Sequence, residues 1–232
     1  MDLIWEGILG AFALIVSLDP EVVQVVLRTL QVSGLATLIS LCIGVPLGTA
    51  LAFANIPGRR LLVAVVNTGM GTPPVVVGLL VSIMLWRSGP LGALGLLYTP
   101  AAMVIAQCFI ATPIITGISL AAMGQLDPKL RLQMLGLGAS RWQLLLILLR
   151  EARLPLLAAV MAGFGGAISE VGAVMMVGGN IRGDTQVLTT AIVEWTGRGE
   201  FALAIAFGLI LIALAFSVNY LLTTFQQRGR LS

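Results

Sequence analysis

Five long apolar runs constrain the fold of this chain more than any other feature. They cover residues 20–54, 61–86, 99–123, 154–181 and 201–224, and most charged residues lie between them. A helix needs about 20 apolar residues to cross the hydrocarbon core of a bilayer. Only 10% of the residues are charged, whereas a soluble domain has about 25%. We therefore predict an all-α, polytopic membrane protein with five core transmembrane helices.

A shorter apolar segment precedes these runs. Residues 3–18 make a helix of about 24 Å, which is less than the hydrocarbon core of about 30 Å. The segment carries Asp2 and Glu6 but no Lys or Arg, whereas a signal peptide begins with positive charge. We predict an interfacial helix on the outer face for residues 1–18, with a short true span as the alternative. The transmembrane domain then covers residues 19–232.

A charged interval, residues 124–155, separates the third run from the fourth. It holds seven charged residues, five of them basic: Asp127, Lys129, Arg131, Arg141, Arg150, Glu151 and Arg153. Because an excess of Lys and Arg marks the cytoplasmic side, we place this interval in the cytoplasm. Nine of the thirteen basic residues then lie inside, among them Arg228 and Arg230, and the C-terminus is predicted to be cytoplasmic.

The interval has the signals of two short helices. Asp127 and Pro128 provide an N-cap and a first-turn proline. Gly136 and Gly138 are suited to end that helix before a turn of small residues. Such a unit presents a short helix to a partner outside the bilayer. An ordinary cytoplasmic loop is the alternative.

Two features interrupt the apolar runs. Adjacent prolines in Thr72-Pro73-Pro74 break the second run, and a broken helix in a membrane is tolerated only against protein or a water-lined cavity. Glu170 lies near the middle or outer half of the fourth run. A buried ionisable group is expensive there, so it is functional or tightly paired. We favour a structural role, in capping or cross-helix bonding near a gate.

The sequence offers no candidate residues for catalysis or for binding a cofactor. There is no histidine, and Cys42 and Cys108 lie in different runs, so neither a metal site nor a catalytic centre is predicted. A phosphate-binding Gly-rich loop ends in Lys-Ser or Lys-Thr. The single lysine, Lys129, stands between Pro128 and Leu130. Any ATP must therefore bind to a separate subunit. The net charge of +3 is too small to indicate nucleic acid.

Two stretches resemble a known family. The order Leu137-Gly138-Ala139-Ser140-Arg141-Trp142, followed by Leu154-Pro155, resembles the cytoplasmic loop of ABC importer permeases, which docks into the ATPase subunit. Where that family has Glu-Ala-Ala, this chain has Leu132-Gln133-Met134. The stretches Ser169-Glu170-Val171-Gly172-Ala173 and Gly179-Asn180-Ile181 resemble oxyanion permeases for molybdate, sulfate and, most closely, tungstate.

The resemblance implies a type I importer permease, like those for molybdate and methionine. It implies a homodimer in a bacterial or archaeal inner membrane, with two kinds of partner. A cytoplasmic ATPase binds ATP and Mg, and an extracytoplasmic protein delivers the anion. Tungstate is favoured as the substrate, with molybdate, sulfate or an amino acid as alternatives. A self-sufficient secondary transporter or channel is the rival of another class, although such proteins usually show internal repeats and coupling charges.

Three groups of residues are candidates for function. The residues predicted to couple to the ATPase are Leu137, Gly138, Ala139, Ser140, Arg141 and Trp142. The residues predicted to line the path or gate, where hydroxyls and helix N-termini suit an anion, are Thr72, Pro73, Thr112, Ser169 and Glu170. Alternatively, these hydroxyls bond back to their own helices. The residues predicted to dock the binding protein are Arg87, Arg182 and Arg198.

Overall fold

The computed structural model describes residues 2–53 and 55–228, and no strand occurs in these two ranges. Arg230, which we counted in predicting a cytoplasmic C-terminus, lies outside the described residues. A short 3-10 helix, Gly92–Leu94, lies in the loop between the second and third apolar runs. The α-helices are α1 (Asp2–Ser17), α2 (Pro20–Phe53), α3 (Arg59–Met70), α4 (Pro74–Leu85), α5 (Pro100–Gly124), α6 (Pro128–Gly136), α7 (Arg141–Glu151), α8 (Arg153–Ile168), α9 (Gly172–Gly178), α10 (Leu188–Gly197) and α11 (Phe201–Arg228).

The described helices provide up to five membrane spans, as predicted. The helices α2, α5 and α11 are each long and apolar enough to cross a bilayer. Two further spans arise if each of two bent pairs counts as one. The α3–α4 pair bends by 102° and the α8–α9 pair by 58°. The bend between α3 and α4 lies at the predicted Thr72-Pro73-Pro74 break.

The break between α8 and α9 was not predicted, because we treated residues 154–181 as one continuous span. In the structure, α8 ends at Ile168 and α9 begins at Gly172. The Glu170 carboxylate accepts a hydrogen bond from the backbone N–H of Ala173 at 2.8 Å, a normal length for such a bond. A local side-chain acceptor of this kind replaces the continuing helix ladder.

Small residues bring the central helices close together. A Cβ atom added to Gly48 of α2 would lie 2.5 Å from the carbonyl oxygen of Thr116 on α5. Likewise, a Cβ atom on Gly78 of α4 would lie 2.6 Å from the Cα atom of Ala173 on α9. Close backbone approach through small residues is the usual basis of helix packing in membranes. The α4–α9 contact therefore joins the second helix of one broken span to the second helix of the other.

The N-terminal helix α1 packs against α11, with Gly7 in contact with Ile205. Its other surface exposes large apolar side chains, including Ile4, Trp5 and Phe12. This surface requires apolar surroundings. The assignment of α1 as an interfacial helix or a short span stays a prediction.

Helix α10 lies between the fourth and fifth apolar runs, in a segment for which the sequence predicted no helix. It packs against α2 and α11 in a cluster that includes Val22, Leu188, Ala191 and Phe207. The Oγ1 atom of Thr190 accepts the backbone N–H of Val187, which satisfies a donor at the start of the helix. The Thr, Glu and Gly residues of this segment gave it the composition of a loop, so the sequence did not predict the helix.

Candidate functional site

The interval predicted to be cytoplasmic forms a projection, which we define as α6, α7 and the turn between them, and it has the two-helix form that its sequence predicts. Asp127 caps α6 by accepting the N–H of Lys129. The backbone N–H groups of Gly138 and Ala139 donate to the carbonyl oxygens of Leu135 and Met134, each at 3.0 Å. With φ at 80° for Gly138, this is a Schellman ending, which favours glycine.

The predicted coupling residues all lie in the turn that follows or in the first turn of α7. Ser140 and Gln143 form a reciprocal capping box at the start of α7. The structure leaves two large apolar side chains exposed here, Leu137 at 80% and Trp142 at 76%. Exposed aromatic and aliphatic side chains on a rigid turn are typical anchors for a protein partner.

The base of the projection is fastened to the membrane domain. Met123, Leu148 and Ala152 form a buried cluster. The guanidinium carbon of Arg131 also lies 5.3 Å from the ring centre of Phe53 at the end of α2. A displacement of the projection would therefore be passed to α2, α5 and α8.

The predicted path residues divide between two places. Thr72 and Thr112 line a cavity of about 560 Å³ between α2, α3, α4 and α5. Ser169 and Glu170 instead lie at the α8–α9 break, and the residues lining the cavity do not include them or Pro73. The structure therefore brings together only part of this predicted group.

The hydroxyls in this group are already occupied by hydrogen bonds within the protein. Thr72 Oγ1 donates to the carbonyl oxygen of Thr68 at 2.8 Å, and Ser169 Oγ donates to that of Gly165 at 2.8 Å. Thr112 Oγ1 bonds across to Ser40 Oγ on α2 at 3.0 Å. Back-bonding was the alternative for these residues, and it describes Thr72 and Ser169. Neither O–H group is directed at the cavity in this conformation.

Glu170 is buried, with 6% of its surface exposed, and it connects three elements. Its Oε1 accepts the N–H of Ala173 at 2.8 Å, and its carbonyl oxygen accepts the Thr189 hydroxyl at 2.9 Å. A Cβ atom on the neighbouring Gly172 would lie 2.9 Å from Val75 Cγ2, next to the other break. This is a capping arrangement that ties α9 to α10 and places it against α4.

A polar cluster at the outer end was not anticipated from the sequence. We define the Glu194 cluster as Asn180, Arg182, Gln186, Glu194, Trp195 and Arg198. One oxygen of Glu194 accepts from Arg182 Nη2 at 3.0 Å and from Arg198 Nη2 at 2.6 Å. The other accepts from Asn180 Nδ2 at 2.9 Å and Gln186 Nε2 at 2.6 Å.

Two of the three predicted docking residues meet in this cluster. Arg182 and Arg198 lie over the ring of Trp195, with guanidinium carbons 4.8 Å and 5.2 Å from its centre. Arg87 lies elsewhere, in the exposed loop after α4. The sequence contained one useful signal, an acidic residue and a tryptophan side by side between two arginines.

Within the described ranges, no group of three or more His, Cys, Asp or Glu residues is placed to hold a metal ion. The structure has a helical domain with broken spans, a projection with exposed apolar anchors, and a charged cluster around Glu194. These features are typical of the membrane-spanning subunit of a transporter.

The chain belongs to the family of binding-protein-dependent transport system inner membrane components, whose model matches residues 44–231. It is therefore a multi-pass permease subunit of an ABC importer. It is 39% identical over 227 residues to the tungstate uptake system permease protein TupB of Peptoclostridium acidaminophilum, covering 98% of this chain and all of the relative. It is 40% identical over 211 residues to a probable anion ABC transporter permease protein of Haloferax volcanii, covering 89% of this chain and 91% of the relative.

Solved structures support the fold. The chain superimposes on the inward-facing MetNI methionine ABC transporter with a TM-score of 0.77 at 19% identity, over 92% of this chain and 98% of that one. A bacterial alginate ABC transporter, in complex with an alginate-bound periplasmic protein, gives a TM-score of 0.74 at 20% identity, over 89% of this chain and 78% of that one. The predicted type of fold, similar to a methionine permease, is confirmed.

Proposed function

We propose that this chain passes tungstate from an extracytoplasmic binding protein into the cytoplasm, driven by ATP hydrolysis on a separate subunit. The observation that carries the choice of substrate is the 39% identity with a tungstate uptake permease across 98% of the chain. The match covers 98% of the chain, so it extends over the broken helices and the projection.

The ATPase would bind at the cytoplasmic projection. Support comes from the exposed Leu137 and Trp142 on a turn that two caps hold rigid. Anchors of this kind contribute most when they enter a pocket of the partner and lose their water. ATP and Mg would then be held entirely by the partner, since the one lysine of this chain does not stand in a phosphate-binding loop.

The binding protein would dock at the opposite end. Three exposed arginines lie there, Arg87, Arg182 and Arg198, in loops or next to helix ends. Charges at the rim of an interface mainly steer the encounter and raise its rate. An acidic surface on the binding protein would suit this end.

Two copies of the chain would form the pathway. The described residues of a single copy provide up to five spans by length and composition. They expose many large apolar side chains along α2, α4 and α11, such as Leu38, Leu80 and Phe216. Lipid or a second copy would cover them. The C-terminus would lie in the cytoplasm, because basic residues are concentrated on the side of the projection.

The test is ATP hydrolysis by the chain reconstituted in vesicles with its ATPase and binding protein, titrated with tungstate, molybdate and sulfate. We expect hydrolysis to require the ATPase and to rise with loaded binding protein, with tungstate acting at the lowest concentration. If molybdate or sulfate stimulates hydrolysis at a lower concentration than tungstate, that anion is the substrate instead. Movement of an anion by the chain alone, down a proton or sodium gradient, would contradict the importer assignment.

A further inference from the structure

The Glu194 carboxylate is supplied with more positive charge than it can neutralise. Arg182 and Arg198 both contact the same oxygen, Oε1, while Asn180 and Gln186 saturate Oε2. Two guanidinium groups on one carboxylate leave the cluster with one unit of positive charge. The nearby Asp184 does not offset it, because Asp184 pairs with Arg28 at 3.7 Å.

The two arginines keep donors that Glu194 does not use. Arg198 contacts Glu194 through Nη2, and Arg182 through Nε and Nη2, in the hydrogen bonds and ion pairs formed among the described residues. The Nη1 group of Arg182, and the Nε and Nη1 groups of Arg198, therefore stay available. Their side chains are 41% and 52% exposed, whereas that of Glu194 is only 15% exposed. Water or a ligand can reach the arginines far more easily than the carboxylate.

The ring of Trp195 restrains the positions of these guanidinium groups. Both guanidinium groups lie about 5 Å from the centre of its ring, a distance at which a cation is attracted to the ring face. Arginine side chains normally lose rotamer entropy when they bind a ligand. Here the ring and the carboxylate have already restrained both of them, so a second acceptor would meet a preorganised pair.

We propose that Arg182 and Arg198 form a receiving site for a tetrahedral oxyanion on the outer face of the permease, in which Glu194 and Trp195 are positioning residues. A guanidinium donates two parallel N–H groups, which match the oxygens of such an anion. The site would hold the anion as it leaves the binding protein and before it enters the path. The identity of the anion as tungstate rests on the proposed function, but the site itself rests on the geometry.

The experiment measures tungstate binding to the purified full-length permease in nanodiscs, without ATPase or binding protein, by equilibrium dialysis in a chloride buffer. We expect saturable binding to the wild type. Arg198→Gln and Arg182→Gln should each weaken it by about tenfold or more, the usual effect of losing hydrogen bonds to a charged group. Arg60→Gln is the matched control, since it removes the same charge from an exposed position on the cytoplasmic side.

Glu194→Gln provides a test with the opposite sign. It removes one negative charge next to the anion while an amide oxygen remains to accept from both arginines. The side-chain amides of Asn180 and Gln186 can turn over to accept from the new NH2 group, so the arginines keep their positions and binding should tighten by a few-fold. A merely structural ion pair would not produce tighter binding when it is broken. Size-exclusion profiles and thermal unfolding of each variant show that the fold is intact.

Absence of saturable binding, or an equal loss in Arg60→Gln, would overturn the proposed site, as would weaker binding in Glu194→Gln. These results are independent of the reconstituted ATPase assay. A permease that binds tungstate through the arginines but supports no tungstate-stimulated ATP hydrolysis would contradict the proposed function and leave the site standing. If tungstate stimulates ATP hydrolysis normally and both arginine variants bind tungstate as the wild type does, the proposed site is contradicted and the proposed function stands.

Discussion

The two ends of this molecule treat their charges in different ways. All three ion pairs between residues that the structure describes lie at the outer end, around Asp184 and Glu194. The projection carries Lys129, Arg131 and Arg141 in exposed positions, and it also exposes Leu137 and Trp142. The outer end restrains several of its charges in ion pairs within the chain, whereas the inner end displays apolar side chains on a charged surface.

This difference indicates how each end meets a partner. A surface that exposes large apolar side chains on a capped turn gains most of its binding energy from burying them. A surface whose charges are already restrained gains little from new apolar contact, but it can steer and hold an ion. The inner end is thus suited to a durable protein interface and the outer end to transient contacts.

The largest effect is expected from charging the inner anchors. Leu137→Asp with Trp142→Asp should reduce binding of the ATPase by about 100-fold or more, because each anchor contributes about 2 kcal/mol or more. The measurement is co-purification and titration of the ATPase against the permease in nanodiscs. Leu94→Asp, an exposed apolar position in an outer loop, is the control and should bind normally. Unchanged ATPase binding in the double variant would remove the projection from the interface.

A second prediction concerns the α4–α9 contact, which we expect to connect the two ends of the molecule. Gly78→Ala places a Cβ atom 2.6 Å from the Cα atom of Ala173, so α4 and α9 must separate at a cost of about 1–3 kcal/mol. Each end should still bind its own partner, but anion-stimulated ATP hydrolysis should fall about tenfold.

Gly34→Ala is the matched control for this contact, since a Cβ atom at Gly34 of α2 meets nothing within 4 Å. Stimulation in Gly78→Ala equal to that in Gly34→Ala would show that the α4–α9 contact does not connect the ends.

The third prediction tests whether the outer end is self-contained. Glu194→Ala leaves two guanidinium groups and two amides without their acceptor, which should cost about 1–2 kcal/mol after allowance for the exposure of the arginines. The midpoint of thermal unfolding of the permease should fall by about 3–6 °C. Glu151→Ala removes an exposed acidic residue from the inner end and should change the midpoint by less than about 1 °C. Equal shifts of the unfolding midpoint in the two variants would show that the charges of the outer end are no more important for stability than those of the inner end.

The features that the sequence predicted depend on local composition. Apolar length predicted five spans, two adjacent prolines predicted the bend at Thr72, and the Asp127 cap with Gly138 predicted the projection. The features that it missed depend on distant partners. At the α8–α9 break, the hydroxyl of Thr189, 19 residues further along the chain, donates to the carbonyl oxygen of Glu170. The Glu194 cluster collects Asn180, a loop arginine and a helix-end arginine that only the folded chain brings to one carboxylate.

The smallest effect is expected at Gly138, where a substitution would change the backbone conformation of the turn and no side-chain packing. A Cβ atom there meets nothing within 4 Å, but φ is 80°, a left-handed conformation that costs an alanine about 1 kcal/mol. Gly138→Ala should therefore weaken ATPase binding by only about fivefold. Gly136→Ala is the matched control, because it adds the same methyl group in equally open space at the end of α6, outside the left-handed region. If both variants bind the ATPase alike, the shape of the turn does not matter, and the apolar anchors alone distinguish the inner end from the outer.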